Sequence, residues 1–176
     1  MAGTHMTRRS MLGTVAAASL APVLPARADL HAGPGASGAQ LPRARPAFIG
    51  RLQVSGMPGA STTTQLVAIT GGTLRGGSLA GTVRAGQIQW QLQPEGSFEV
   101  VVRFDLHCAD GELLQVHERG LIPAGTAITQ CAAINATAEV LGADGLPSAR
   151  ASLLVGRIDT TQLHAGVMRL LAFEVS

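Results

Sequence analysis

The chain has no tyrosine and no lysine, a single tryptophan and four phenylalanines among its 176 residues. Its cationic residues are all arginine. Aromatic side chains interleaved with basic ones, the pattern that stacks nucleic-acid bases, are therefore missing, and no nucleic-acid partner is expected. No run of about 18 apolar residues occurs, so no transmembrane helix and no membrane insertion are predicted. Charge is sparse at 14% and hydrophobic residues make up 46%, which is too apolar for a disordered protein. The length suits one domain with a real core.

The N-terminus reads as an address. Met1 to His5 look like a cloning remnant before a start at Met6. Thr7-Arg8-Arg9-Ser10-Met11-Leu12 gives a twin-arginine segment, Gly13 to Leu24 an apolar one, and Ala26-Arg27-Ala28 a small-x-small cleavage site. Residues 1–28 are thus expected to direct twin-arginine export to the periplasm or the exterior. Cleavage after Ala28 would leave ten arginines against eleven acids, a net charge of about −1. The basic balance of the whole chain then belongs to the signal. Asp29 to Pro46 is rich in Gly, Ala and Pro and reads as a linker, with the folded domain starting near Ala47.

From Ala47 onward, short β-type runs alternate with Gly, Pro and Asp-Gly signals. Gln87 to Gln93 alternates with a strict period of two. Phe98 to Leu106 follows, with Phe98, Val100, Val102, Phe104 and Leu106 on one face and Glu99, Val101, Arg103 and Asp105 on the other. Leu113 to Arg119 alternates likewise. Pro94-Glu95-Gly96 and Ala109-Asp110-Gly111 both fit three-residue hairpin loops with Gly in the left-handed position. These loops pair Leu92 with Phe98, Trp90 with Val100, Ile88 with Val102, Leu106 with Leu114 and Phe104 with Val116. A one-residue slip would send Trp90 and Phe104 to the polar side. Val102 then faces Glu118, which is acceptable if Glu118 sits near a rim.

The same register aligns Gln87, Arg103 and His117 across three strands and pairs Asp105 with Gln115, with Gln89 and Glu99 nearby. Two readings stay open. The row is either the solvent face of a sheet or the lining of a barrel lumen or mouth. In the second, Arg103 would hold a carboxylate or enolate oxygen. His117 would act as a general base with Asp105 as its proton partner, and Gln87, Gln89, Trp90 and Gln115 would contact the ligand.

Other motifs carry less. His107 and His117 fall about four residues apart along the sheet, roughly 13 Å, too far to share a metal, so no metal or other cofactor is expected. Gly71-Gly72 and Gly76-Gly77 lack the Lys-Ser/Thr of a phosphate loop and read as turns or bulges. Cys108 and Cys131, the only thiols, either form a disulfide or are buried as small apolar groups.

Ile69-Thr70-Gly71-Gly72-Thr73 is followed by Gly76, Leu79, Gly81-Thr82-Val83, Gly86 and Trp90-Gln91. Arg103-Phe104, Asp110-Gly111, Arg119-Gly120 and Val155-Gly156 complete the series. In this order they resemble uncharacterised protein family 0311, also called domain of unknown function 3237. The likeness runs from Phe48 to Val175 and is specific between Val67 and Leu121. Gln89 stands where that family usually has Asp, and its aromatic-Arg and Trp-Leu-Asn elements are missing between Ile122 and Val155, which marks a divergent member. The resemblance implies a small antiparallel β-barrel and no established reaction.

The expected fold is all-β, an up-and-down antiparallel barrel of eight to ten strands, closed by a last strand from Val167 to Val175. Ala127 to Leu141 suits a helix as easily as strands. Three functions fit: foremost an exported barrel that binds a small organic molecule inside it, then an isomerase or lyase acting on a small carbonyl compound through Arg103, Asp105 and His117, or a non-catalytic structural module forming a homo-oligomer.

Overall fold

Alternation of apolar and polar residues makes each strand two-faced, and such a sheet must bury its apolar face somewhere. Here the sheet rolls up on itself. The computed structural model describes residues 43–58, 63–149 and 154–175. The export signal and most of the linker read from the sequence lie outside these residues. Eight antiparallel strands form a closed barrel in chain order. They are β1 (Ala44–Val54), β2 (Thr64–Arg75), β3 (Gly81–Leu92), β4 (Phe98–Cys108), β5 (Leu113–Ile122), β6 (Ile134–Gly142), β7 (Leu154–Asp159) and β8 (Val167–Val175). β1 opens three residues before the expected domain start. β8 closes the barrel by pairing with β1 from Ala44–Val175 to Gln53–Val167.

The two hairpins read from the sequence form in the expected register. Leu92 pairs with Phe98, Trp90 with Val100 and Ile88 with Val102. Phe104 pairs with Val116 and Leu106 with Leu114. Gly96 and Gly111 take φ of 86° and 90°. Their N–H groups donate back to Gln93 O and Cys108 O at 2.9 and 3.0 Å, which closes each loop. The ambiguous stretch from Ala127 to Leu141 holds a 3-10 turn, Ile128–Gln130, and then strand β6. Thr160, fully buried after β7, ties that turn down by donating toward Ile128 O and Cys131 O.

Inward positions build the core. Phe48, Leu52, Ile88, Trp90, Leu106, Leu114, Leu154, Ile158 and Met168 are among its largest fully buried side chains. Leu79, in the β2–β3 connection, and Leu163, in the 3-10 turn Leu163–Ala165 before β8, are fully buried at opposite ends. An eight-stranded barrel is just wide enough for side chains to fill. Size is balanced along one paired row, Trp90–Val100–Gly120–Ala136–Gly156–Ala172–Phe48. Two large rings stand at its ends and four very small residues lie between β5 and β8; Ile134 and Ile158 fill the space over Gly120, and Glu118 reaches that over Gly156. Cys108 and Cys131 are both buried and are not joined in a disulfide, and the Cys131 thiol donates to Ala127 O at 3.5 Å. Among the described residues no helix is long and apolar enough to cross a membrane.

Replacing Trp90 with alanine removes the largest ring of this row and leaves a void in the core. The expected cost is about 3–5 kcal/mol. It is read by circular dichroism as a lower denaturant midpoint with an unchanged slope.

Candidate functional site

Closure fixes which side chains are inside, and it separates the residues singled out from the sequence. Gln87, Gln89, Arg103, Asp105, Gln115 and His117 occupy outward positions on β3, β4 and β5, in phase opposite to the buried ones. Trp90 points inward and is 2% exposed, so it belongs to the core and does not join the other six. The row is therefore the outer wall of the barrel and does not line a lumen.

On that wall the expected cluster does assemble. Arg103 is the direct partner of Gln87 on one side and His117 on the other, and Asp105 that of Gln115. Gln87, Arg103, Asp105, Gln115 and His117, with Gly86 at their edge, line a groove of about 410 Å³. A second groove of about 290 Å³ shares Arg103 and His117 and is completed by Arg119, Thr137 and Glu139. Arg103 and His117 thus form a ridge between two grooves. Gln89, partnered with Val101, stands one step outside the first. Among the described residues no hydrogen bond or ion pair ties Arg103, Asp105 and His117 to one another. Their polar atoms face the groove uncommitted. Arg119 and Glu99 make an ion pair of 3.1 Å on the outer wall with the guanidinium mostly exposed, worth little to stability. No three His, Cys, Asp or Glu side chains among the described residues gather to hold a metal.

The residue that sequence reasoning misplaced is Glu118. The register puts it opposite Val102, as expected, and in phase with Leu114 and Val116, but it is 0% exposed and nowhere near a rim. Neither carboxyl oxygen has a hydrogen-bond partner, and the indole Nε1 of Trp90, one paired row away, also lacks one. Oε1 lies 3.2 Å from where a Cβ on Gly156 would stand, so the barrel makes room for the carboxyl by leaving β7 bare there. Burial pushes the Glu118 pKa from 4.5 up to about 8. At neutral pH Glu118 is a protonated, uncharged acid inside the barrel.

The folded state holds this proton more tightly than the unfolded chain does. The stabilising contribution is thus complete below pH 4.5, fades as pH rises and is gone above about 8. Each pH unit within that window costs at most about 1.4 kcal/mol. Denaturant unfolding between pH 5 and 9 is expected to show this decline, and Glu118→Leu to flatten it and to be the more stable protein at pH 8.

No protein-family model and no curated protein matches the sequence. Solved structures do resemble it. A protein of unknown function from Clostridium acetobutylicum superposes with a TM-score of 0.59 at 14% identity, over 77% of this chain and 97% of that one. A β-barrel-like protein from Acinetobacter baumannii gives 0.56 at 18% identity, over 77% and 96%. An enzyme from Penicillium herquei gives 0.51 at 16% identity, over 76% and 95%. At such identities the likeness establishes the architecture alone: the chain shares its closed antiparallel β-barrel with these proteins.

Proposed function

We propose that the protein binds a small organic molecule carrying a carboxylate or carbonyl oxygen, held on the outer wall of the barrel over Arg103 and His117. The observation that carries this reading is the convergence of an unpaired guanidinium, an imidazole, a carboxylate and two amides on one groove of about 410 Å³. Arg103 offers a forked pair of N–H donors to a carboxylate, and Gln87 and Gln115 supply neutral donors and acceptors that set its orientation. Asp105 at the same groove disfavours ligands with a second negative charge at that end. Rigid strands hold all five, so little ordering is needed on binding. Export through the twin-arginine route and membership of the uncharacterised family named above are part of this reading; they rest on Arg8-Arg9 and on the Gly-, Trp- and Arg-containing stretches between Val67 and Leu121.

A second reading makes the same groove catalytic, as an isomerase or lyase. His117 beside Arg103 favours it, since a base next to a guanidinium suits proton removal from carbon flanking a carbonyl whose oxygen Arg103 stabilises.

Trp90 is buried on the opposite face of the sheet, so its fluorescence reports unfolding better than groove occupancy. Titration with pyruvate and related 2-oxo acids, followed through the His117 ring and Gln115 amide NMR signals, is the direct test. Arg103→Ala is expected to weaken binding by about tenfold or more, the value of a charge-assisted hydrogen bond. Binding kept but turnover lost in His117→Ala identifies an enzyme. Signals unmoved by every compound reduce the cluster to a solvated wall and leave a structural module.

A further inference from the structure

The far side of the barrel carries a different chemistry, independent of the Arg103 groove. β1, β2, β7 and β8 together hold five arginines against two acids, whereas β3 to β6 hold three against four. The positive charge is therefore gathered on one wall. Outward residues there form two paired rows, Arg157–Leu171–Ile49–Arg75 and Asp159–Arg169–Arg51–Thr73. Arg51 and Arg169 are direct cross-strand partners, an arrangement of like charges that costs stability. Among the described residues no ion pair relieves it. The one acid in these rows, Asp159, has its Oδ1 occupied by the Thr161 N–H and hydroxyl at 2.9 and 2.6 Å.

The arginines border a built surface. Arg51, Arg75 and Arg169 line a groove of about 230 Å³ with Ile49 and Thr73. Ile49 is 62% exposed, high for an isoleucine on a strand. Its partner Leu171 leads into a neighbouring groove of about 520 Å³ that also takes in Val155, Phe173 and Arg157. A compact hollow rimmed by arginines thus lies beside a broader groove in which Val155, Leu171 and Phe173 are mixed with Asn135 and Arg157. The first is too small for a drug-sized molecule but suits a single oxyanion group.

We propose that this wall binds an amphiphilic organic anion, a phosphate or sulfate monoester. Its head sits between Arg51, Arg75 and Arg169, and its apolar body lies along Ile49, Leu171 and Phe173. Guanidinium forks match the geometry of tetrahedral oxyanions and donate to them bidentately. A head bridging the opposed Arg51–Arg169 pair turns a repulsion into charge-assisted hydrogen bonds. The exposed side of Ile49 and the Leu171, Val155 and Phe173 side chains give the hydrocarbon part a surface to leave water against.

Calorimetric titration of the whole protein with octyl phosphate, at a concentration where it is monomeric, tests this. One saturable site is expected, with inorganic phosphate and octanol each at least tenfold weaker. Arg51→Gln and Arg169→Gln are each expected to weaken octyl phosphate by about tenfold and Leu171→Ser by severalfold, while Arg103→Ala leaves it unchanged. The ligand-free Arg51→Gln protein is expected to melt at or above the parent temperature, because one member of the opposed pair is gone. The proposal is overturned if octyl phosphate does not bind, if inorganic phosphate binds as tightly, if Arg51→Gln and Arg169→Gln bind it like the parent, or if only phosphatidylglycerol vesicles are held.

Discussion

The pairing of β1 with β8 is the constraint from which the rest follows. Once Ala44 to Gln53 is laddered to Val167 to Val175, the sheet has no free edge, and every strand residue is committed to the inside or the outside. The core then has to be solved within a fixed girth. Very large and very small residues share it, Trp90 and Phe48 standing in one paired row with Gly120, Ala136, Gly156 and Ala172. Leu171 O of the neighbouring strand lies 2.3 Å from the position of a Gly156 Cβ, so the backbone of β8 bars any side chain there. Because the interior is taken up by packing, chemistry that needs access is displaced to the wall.

Glu118 is the one departure from this division. A carboxyl with no partner, enclosed by apolar neighbours, is tolerated only by keeping its proton. It couples folding stability to pH, whereas the other acids among the described residues are not buried. The interior thus holds a neutral hydrogen-bonding acid on β5 and, two strands away on β3, the unpartnered Trp90 indole N–H within a hydrophobic fill. Outside, the wall is divided by charge. Arg103 is mixed with Asp105, Glu139 and amides, whereas Arg51, Arg75, Arg157 and Arg169 stand in largely uncompensated company. Two faces with such different charge patterns suit ligands of different kinds.

Much of this was legible in the amino-acid order. Turn chemistry at Gly96 and Gly111 and the period-two alternation of β3, β4 and β5 are local properties, and together they fix the register that aligns Gln87, Arg103 and His117. A slip by one residue would invert every face, so the sequence had to specify it strongly. The side to which that row points was not legible, because alternation distinguishes two faces without saying which is enclosed. Whichever face is enclosed, alternation sets Trp90 on the side opposite Gln87 and Gln89, so it cannot share their ligand.

The sequence alone thus determined the β-class, the hairpins and the cluster around Arg103, since each depends on residues close along the chain or on adjacent strands joined by short loops. Only the closed tertiary structure decided the depth of Glu118 and the meeting of Arg51 with Arg169. Rim and centre are defined only when all eight strands are in place, and residues more than a hundred positions apart become neighbours only through the final ladder.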